Sequence, residues 1–433
     1  MNLTEALGWL DRHINRGVTL DKVDDSALDD MRRLMTALGD PQTDVPVIQV
    51  TGTNGKGSTS AMISGLLSAM GLTVGLYGSP HVSSITERFQ LNGEPIDEDE
   101  LAAVITDLRT VASTLDFPPA WFELVTAAAY RWFADQAVDV AVVEVGMLGR
   151  YDATSVVAPV VSVVTNVGFD HTDGREGWRR DIAYEKAGIM KPESILVLGE
   201  TDEELEDLFI AENPREILRR HSEFDCLDNQ LAVGGRMVTL RSPSGLYEEV
   251  FISLHGSHQG DNAAIALAAA EAFIGAPLPD DVIEEGFGGL RLPGRFEVLQ
   301  HEPLVVLDGA HNPDGAEAAV DTLESGFSVG GRRVLLTGMM GEKDAAWMLE
   351  SLGAGDADLV IATSADTPRA MPAEQLGAVA KDEGYDVEVV PDPADAMLRA
   401  LAVANEDDVI FGAGSLYVVG HLRDAWLSLQ PQD

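Results

Sequence analysis

A single cysteine, Cys226, stands in a chain of 433 residues. One thiol can close no internal disulfide and build no thiolate cluster, so the composition points to a reducing cytoplasm. Lysine is almost as scarce, with Lys22, Lys56, Lys186, Lys191, Lys343 and Lys381 the whole set. Arginine raises the basic total to 29, against 72 acidic residues, for a net charge of −43. A field of that sign excludes a general nucleic-acid or anionic-membrane surface. Long apolar runs are missing too: nothing approaches the ~18 residues of a membrane span. The opening MNLTEALGWLDRHINRG also lacks the basic start and apolar core of a secretory leader.

What is present suits a folded protein. Hydrophobic residues make up 45% of the chain, which excludes a disordered acidic polymer, and the length accommodates two or three domains at about 150 residues each. The acidic residues form no block for a basic partner. They are spread along the chain, with only short clusters such as Asp97 to Glu100 and Glu203 to Asp207. Spread carboxylates fit a salt-rich cytosol, where they keep a surface hydrated while screening damps their repulsion.

Short β-branched runs alternate with helical patterns. Val45 to Val50 reads as a buried strand, followed by a glycine-rich turn, a helix to about Met70 and a second strand at Leu72 to Tyr77. That is the grammar of a parallel βαβ unit. Val138 to Val145, Pro159 to Thr165 and Ile195 to Leu198 extend the series, predicting a doubly wound parallel α/β sheet. Residues 223–254 alternate and are rich in turns, which predicts a small antiparallel excursion. A second βα series follows, with strands at Leu304 to Leu307, Arg333 to Thr337, Leu359 to Thr363, Val387 to Val390 and Asp408 to Phe411. Leu292-Pro293-Gly294-Arg295 breaks both periodicities, so a hinge is expected there and a boundary between domains 1–296 and 297–433.

The turn Thr51-Gly52-Thr53-Asn54-Gly55-Lys56-Gly57-Ser58 carries the first chemical signal. Its glycines let backbone N–H groups converge on an anion, the next helix adds its N-terminal dipole, and a rare lysine adds a point charge. The usual phosphate-loop text is not met, because Val50 holds the place of the first glycine and Gly57 separates Lys56 from Ser58. Glu144 ends a buried strand, where parallel sheets bind ligands, and beside a phosphate loop a carboxylate suits Mg²⁺. His171, Glu185-Lys186 and Ser79-Pro80-His81 each have an ordinary structural reading alone and gain interest from this company. In the second series, Asp308 and His311 follow a strand and precede Pro313 at a helix start, so they project into the crevice above that sheet. Arg295 on the hinge can reach a phosphate between the domains.

Taken in order, these residues resemble the folylpolyglutamate synthase and dihydrofolate synthase family of Mur-ligase-like, ATP-dependent amide-bond-forming enzymes. The resemblance runs through GTNGKGS (52–58), SPH (79–81), ERF (87–89), FE (122–123), EVGMLGRYDAT (144–154) and GFDHT (168–172). It continues through EKAGI (185–189), NAA (262–264), LPGRF (292–296), DGAHNP (308–313) and GSLY (414–417). It implies a phosphate-loop ATPase domain followed by a smaller Rossmann-like glutamate-ligase domain. The implied reaction ligates L-glutamate to a pterin or folate carboxylate through an acyl phosphate, with ATP, two Mg²⁺ ions and a K⁺ ion, in a cytoplasmic monomer. Thr53, Asn54, Gly55, Lys56, Gly57 and Ser58 would cradle the ATP phosphates, with Asn262, Arg295, Asp308 and His311 as further nucleotide contacts. Ser79 and Glu144 would hold one metal, and His171 with a carbamylated Lys186 the other. Lys56, Lys186 and His311 would carry the catalysis. The pterin is expected near Phe122, Glu123, Tyr151, Asp152 and Ala153, with an N-terminal contribution around Thr19 and Leu20. The chain departs from the family pattern at Leu148, where a glycine is usual, and at Ser155, where an asparagine is usual. A muramyl-peptide ligase fits less well, because only about 50 residues precede Thr51, too few for a typical separate sugar-binding domain. A nucleotide-dependent switch or silent binding protein is the remaining alternative, distinguished by turnover that needs no acceptor carboxylate.

Overall fold

The computed structural model describes residues 1–14, 25–170, 172, 174–328 and 330–430. Its first sheet has eight strands, in chain order β1 (Val47–Thr51), β2 (Val74–Tyr77), β3 (Phe89–Leu91), β4 (Glu94–Pro95), β5 (Val140–Glu144), β6 (Val161–Val164), β7 (Ile195–Leu198) and β8 (Glu216–Arg219). They lie side by side as β4-β3-β2-β5-β1-β6-β7-β8. From β2 to β8 every pairing is parallel. Every residue of β1, β5 and β6 is buried, as a sheet covered on both faces requires. β3 and β4 add an antiparallel edge that the sequence reading did not anticipate; runs of three and two residues carry no usable periodicity.

Helices Lys56–Ala69, His258–Ile274 and Asp280–Gly288 cover one face of this sheet, and Glu98–Ala112 and Trp121–Asp135 cover the other. Helix His258–Ile274 is buried on nearly every side. Its run of alanines presents little bulk, so its backbone approaches the sheet closely and carries Asn262 to the phosphate loop. Strands β9 (Asp225–Ala232), β10 (Gly235–Ser242) and β11 (Gly245–Ile252) form the antiparallel excursion and pack Val238, Leu240 and Tyr247 into the same core.

The second sheet contains β12 (Glu297–His301), β13 (Leu304–Asp308), β14 (Arg333–Thr337), β15 (Leu359–Ala362), β16 (Val387–Val389) and β17 (Val409–Ala413), in the order β12-β13-β17-β14-β15-β16. All pairings are parallel except β12 with β13. In the first sheet the chain winds outward in both directions from β1, so the strand order reverses at its carboxyl end, where open α/β sheets form a crevice. The glycine-rich turn into helix Lys56–Ala69 follows β1 at that crevice. No helix among the described residues is long and apolar enough to cross a membrane.

Candidate active site

The loop between β1 and helix Lys56–Ala69 turns on two glycines of positive φ, Gly52 at 153° and Gly55 at 80°. Gly55 is required for a second reason: a Cβ there would stand 2.5 Å from Asn262 Oδ1. Thr53 N–H donates to Asn166 O at 3.1 Å, and Asn54 N–H to Asn166 Oδ1 at 3.0 Å. Thr53 Oγ1 accepts from Gly168 N–H at 2.9 Å, and Thr165 Oγ1 donates to Asn54 O at 2.6 Å. The loop is thereby pinned along the segment that follows β6. Lys56 Nζ folds over it, donating to Gly52 O at 3.0 Å and Thr53 O at 3.1 Å. Burial holds the Lys56 amine below its ordinary pKa, with Glu144 the largest influence in the opposite direction.

Glu144, the last residue of β5, is buried and accepts Ser79 N–H at 2.9 Å. No described Lys, Arg or His forms an ion pair with it, and burial pushes its pKa up. A Cβ on Gly57 would lie 3.7 Å from both Glu144 oxygens and from Arg295 Nη2, so a carboxylate and a guanidinium flank the loop at one point. Lys186, in the last turn of helix Trp178–Ala187, is 2% exposed. Burial, reinforced by Lys56 and opposed by Asp170, drives its amine well below the ordinary value. His171, the remaining expected metal ligand, lies outside the described residues, as do Thr19 and Leu20. Among the described residues no three His, Cys, Asp or Glu converge as a ready metal cluster. A buried carboxylate that forms no ion pair among the described residues, facing the glycine-rich loop, is nevertheless the hard oxygen donor that Mg²⁺ takes.

A cleft of about 490 Å³ opens from this loop and is lined by Ser79, Phe122, Glu144 and Asp152 of the first domain. Asp152 is held by Met147 N–H at 2.9 Å and Thr154 N–H at 3.0 Å. Glu123, Tyr151 and Ala153 are not among the lining residues. Glu123 instead accepts Ala120 N–H at 2.6 Å, satisfying the residue that precedes its own helix. Arg88 and Trp121 also line the cleft, although the sequence reading gave them no role. Arg88 donates from Nε to His81 Nδ1 at 2.8 Å, and its guanidinium lies 5.1 Å from the Trp121 ring centre. Glu87 gathers the N–H groups of Val82, Ser83 and Ser84 at 2.7, 3.1 and 3.0 Å, so the SPH and ERF stretches are two sides of one turn.

From the second domain come His311, Lys343 and Arg369. Lys343 Nζ pairs with Asp170 Oδ1 at 2.7 Å, and His311 Nε2 lies 3.5 Å from Asp170 Oδ2. Sequence reasoning passed over Lys343, although its rarity in this chain was a usable signal. A second cavity of about 410 Å³ lies on the other side of the loop, lined by Asn54, Ser58, Asn262, Arg295, Asp308 and His311. Asp308 spends both carboxylate oxygens on backbone, accepting from Phe296 N–H at 2.7 Å and Ala310 N–H at 2.8 Å. It therefore ties the hinge to β13 at the edge of that cavity.

The sequence matches the Mur ligase middle domain over residues 50–270 and the Mur ligase glutamate ligase domain over residues 294–416. It is 37% identical over 382 residues to a dihydrofolate synthase/folylpolyglutamate synthase of Mycobacterium tuberculosis, covering 82% of this chain and 78% of the relative. A probable bifunctional folylpolyglutamate synthase/dihydropteroate synthase of Haloferax volcanii is 38% identical over 409 residues, which is 92% of this chain and 48% of that protein. The solved structure of M. tuberculosis folylpolyglutamate synthase complexed with ADP superposes with a TM-score of 0.92 at 34% identity, over 99% of both chains.

Proposed function

The chain belongs to the dihydrofolate synthase and folylpolyglutamate synthase family of Mur-type ligases, and from that membership we propose how its own residues carry the reaction. It is an ATP-dependent ligase that joins L-glutamate to a pterin or folate carboxylate. One observation carries the assignment of residues: Lys56, Glu144 and Arg295 surround Gly57 of the phosphate loop, and Asp170 lines the same cleft together with His311 and Lys343 of the second domain.

The acceptor carboxylate, lying in the cleft by Phe122 and Asp152, attacks the γ-phosphorus of ATP. The bond to the departing ADP oxygen breaks, and an acyl phosphate forms. Lys56, Arg295 and the loop N–H groups meet the charge that builds on the phosphoryl oxygens. The glutamate amine then attacks the acyl carbon, and phosphate leaves with the electron pair of the C–O bond. His311, beside Asp170, is placed to take the proton that the amine gives up. Arg88, Lys343 and Arg369 supply the cationic lining that the carboxylates of glutamate need. Ser79 and Glu144 would hold one Mg²⁺, and His171 with the carbamate of Lys186 a second. Mg²⁺ bound there draws charge from the phosphate oxygens. A neutral Lys186 amine is the form that adds to CO₂, forming an N–C bond, losing a proton and becoming an anionic oxygen donor. We assign K⁺ as a further cation, a monomer as the working unit and a salt-rich cytoplasm as its place.

ADP release measured with dihydropteroate, reduced folates and L-glutamate in turn, with Mg²⁺ and high KCl, tests the reading and separates first glutamate addition from chain extension. ADP release without an acceptor, or no amide product with any acceptor, would sink it.

A further inference from the structure

Two amides meet where the domains touch. Asn54, on the phosphate loop, donates from Nδ2 to Asn312 Oδ1 at 3.3 Å, and Asn312 donates from Nδ2 to Asn54 Oδ1 at 3.0 Å. Asn312 is 1% exposed, and its Oδ1 also accepts Gly315 N–H at 2.9 Å, capping helix Pro313–Gly326. That cap requires an oxygen toward the helix, which fixes the Nδ2 donor toward Asn54. The backbone of Asn54 is meanwhile held by Asn166 and Thr165 of the first domain. One loop residue is thus tied to its own domain by its peptide and to the other domain by its side chain. Phe169 N–H, donating to Asp314 Oδ2 at 3.3 Å, makes a second polar contact between the same helix and the segment that pins the loop.

Capping a helix requires only the oxygen of Asn312, and holding phosphate requires only the backbone of Asn54. The reciprocal pair is needed for neither. We infer that Asn312 is a positioning residue acting through Asn54: the second domain sets the phosphate loop, and nucleotide on the loop orders helix Pro313–Gly326 in return. Linkage makes the coupling mutual, so a helix that helps the loop bind nucleotide is steadied by the nucleotide to the same degree. The inference rests on residues 51–58 being the nucleotide's phosphate loop and is independent of which acceptor is ligated.

Asn312→Ser keeps a good cap on a side chain too short to reach Asn54, and Asn312→Asp keeps the cap while replacing the donor that faces Asn54 Oδ1 with an oxygen. Both should melt close to the native chain. ADP with Mg²⁺ is titrated calorimetrically into all three proteins, and amide hydrogen exchange of residues 313–326 is followed with and without ADP. The expected result is an ADP dissociation constant raised about five- to tenfold in both variants, with loss of the slowing of exchange that ADP brings in the native chain. Native affinity or a native exchange response in both variants would reduce Asn312 to a helix cap and overturn the inference. A native chain that binds no ADP would overturn the phosphate-loop reading and this inference with it. ADP binding without ligation would overturn only the assigned reaction.

Discussion

Lys343 Nζ lies 2.7 Å from Asp170 Oδ1 in an ion pair whose side chains are 16% and 6% exposed, and it joins the two domains beside the phosphate loop. With His311 3.5 Å from the same carboxylate, one buried anion answers to two groups of the second domain. Removing Lys343 takes a close cation from a buried carboxylate, whereas removing both charges costs far less. Lys343→Met should lower the unfolding free energy by roughly 2–4 kcal/mol, and Lys343→Met with Asp170→Asn should restore part of that loss. Glutamate-dependent turnover should fall in both variants. Urea unfolding of the two single variants and the double variant measures the coupling; strict additivity of the single losses would remove the latch.

Lys186 is buried too deeply to stay charged cheaply, and the arrangement makes sense if it becomes an oxygen ligand. Lys186→Ala should abolish ligation while leaving ADP binding measurable. Short carboxylic acids, small enough to enter the space vacated by the side chain, should restore part of the turnover. Full activity of Lys186→Ala without additive would exclude a metal-ligand role.

How far the sequence foretold the site depended on how local each signal was. The glycine-rich loop after β1 was legible as a feature because glycine spacing and a rare lysine occupy one turn, and the buried position of Glu144 because an apolar run ends on it. The parallel strands were legible for the same reason: their runs are apolar and β-branched from end to end. Arg88, Trp121 and Lys343 were given no role, because Arg88 meets the Trp121 ring and Lys343 meets Asp170 only in the fold, although the rarity of lysine was a usable signal for Lys343. Glu123 misled in the opposite direction. Its neighbours line the cleft, but its carboxylate turns back onto Ala120, three residues earlier.

Leu148 holds φ at +59°, in the region that favours glycine, and it is the position at which the sequence resemblance expects one. Its carbonyl accepts Thr51 Oγ1 at 2.5 Å, so the turn is tied to the end of β1. Its side chain packs partly against the core cluster that includes Val145 and Ile182, so a plain Leu148→Gly change mixes relief of strain with lost packing. Comparing Gly with Ala at this position isolates the backbone. Leu148→Gly should be more stable than Leu148→Ala by about 1 kcal/mol, the reverse of their order in a right-handed helix. Thermal unfolding of the pair decides it, and the opposite order would show that the turn relaxes.

Burial, with Arg295 and Arg236 nearby, pushes the His258 imidazole down to about 4 from its ordinary 6.5. Below pH 6.5 the unfolded chain takes up a proton that the native chain refuses. The stability associated with a neutral His258 is therefore complete above that pH and is lost as pH falls toward 4. Its share of the slope is about 1.4 kcal/mol per pH unit inside the window. His258→Gln should flatten the fall in stability between neutral and mildly acidic pH by that amount. Equal slopes for the two proteins in urea unfolding would place the acid sensitivity elsewhere.

The six lysines also bear on the charge of −43. Lys56 and Lys343 line the cleft, and Lys186 lies close enough to Lys56 for their charges to interact, so half of a scarce residue gathers where anions must be held. The carboxylates, in contrast, are spread over the chain and repel one another and the anionic substrates alike. Screening shortens that repulsion from about 10 Å at 0.1 M salt to about 3 Å at 1 M, while pairs as close as Lys343 and Asp170 are hardly weakened. Raising KCl across that range should therefore raise the thermal midpoint and lower the KM for ATP together. Sodium chloride at equal ionic strength separates screening from a specific need for K⁺: if it restores folding but not turnover, the K⁺ assignment stands. A native chain whose folding and activity are both best at low salt would refute the salt-rich setting.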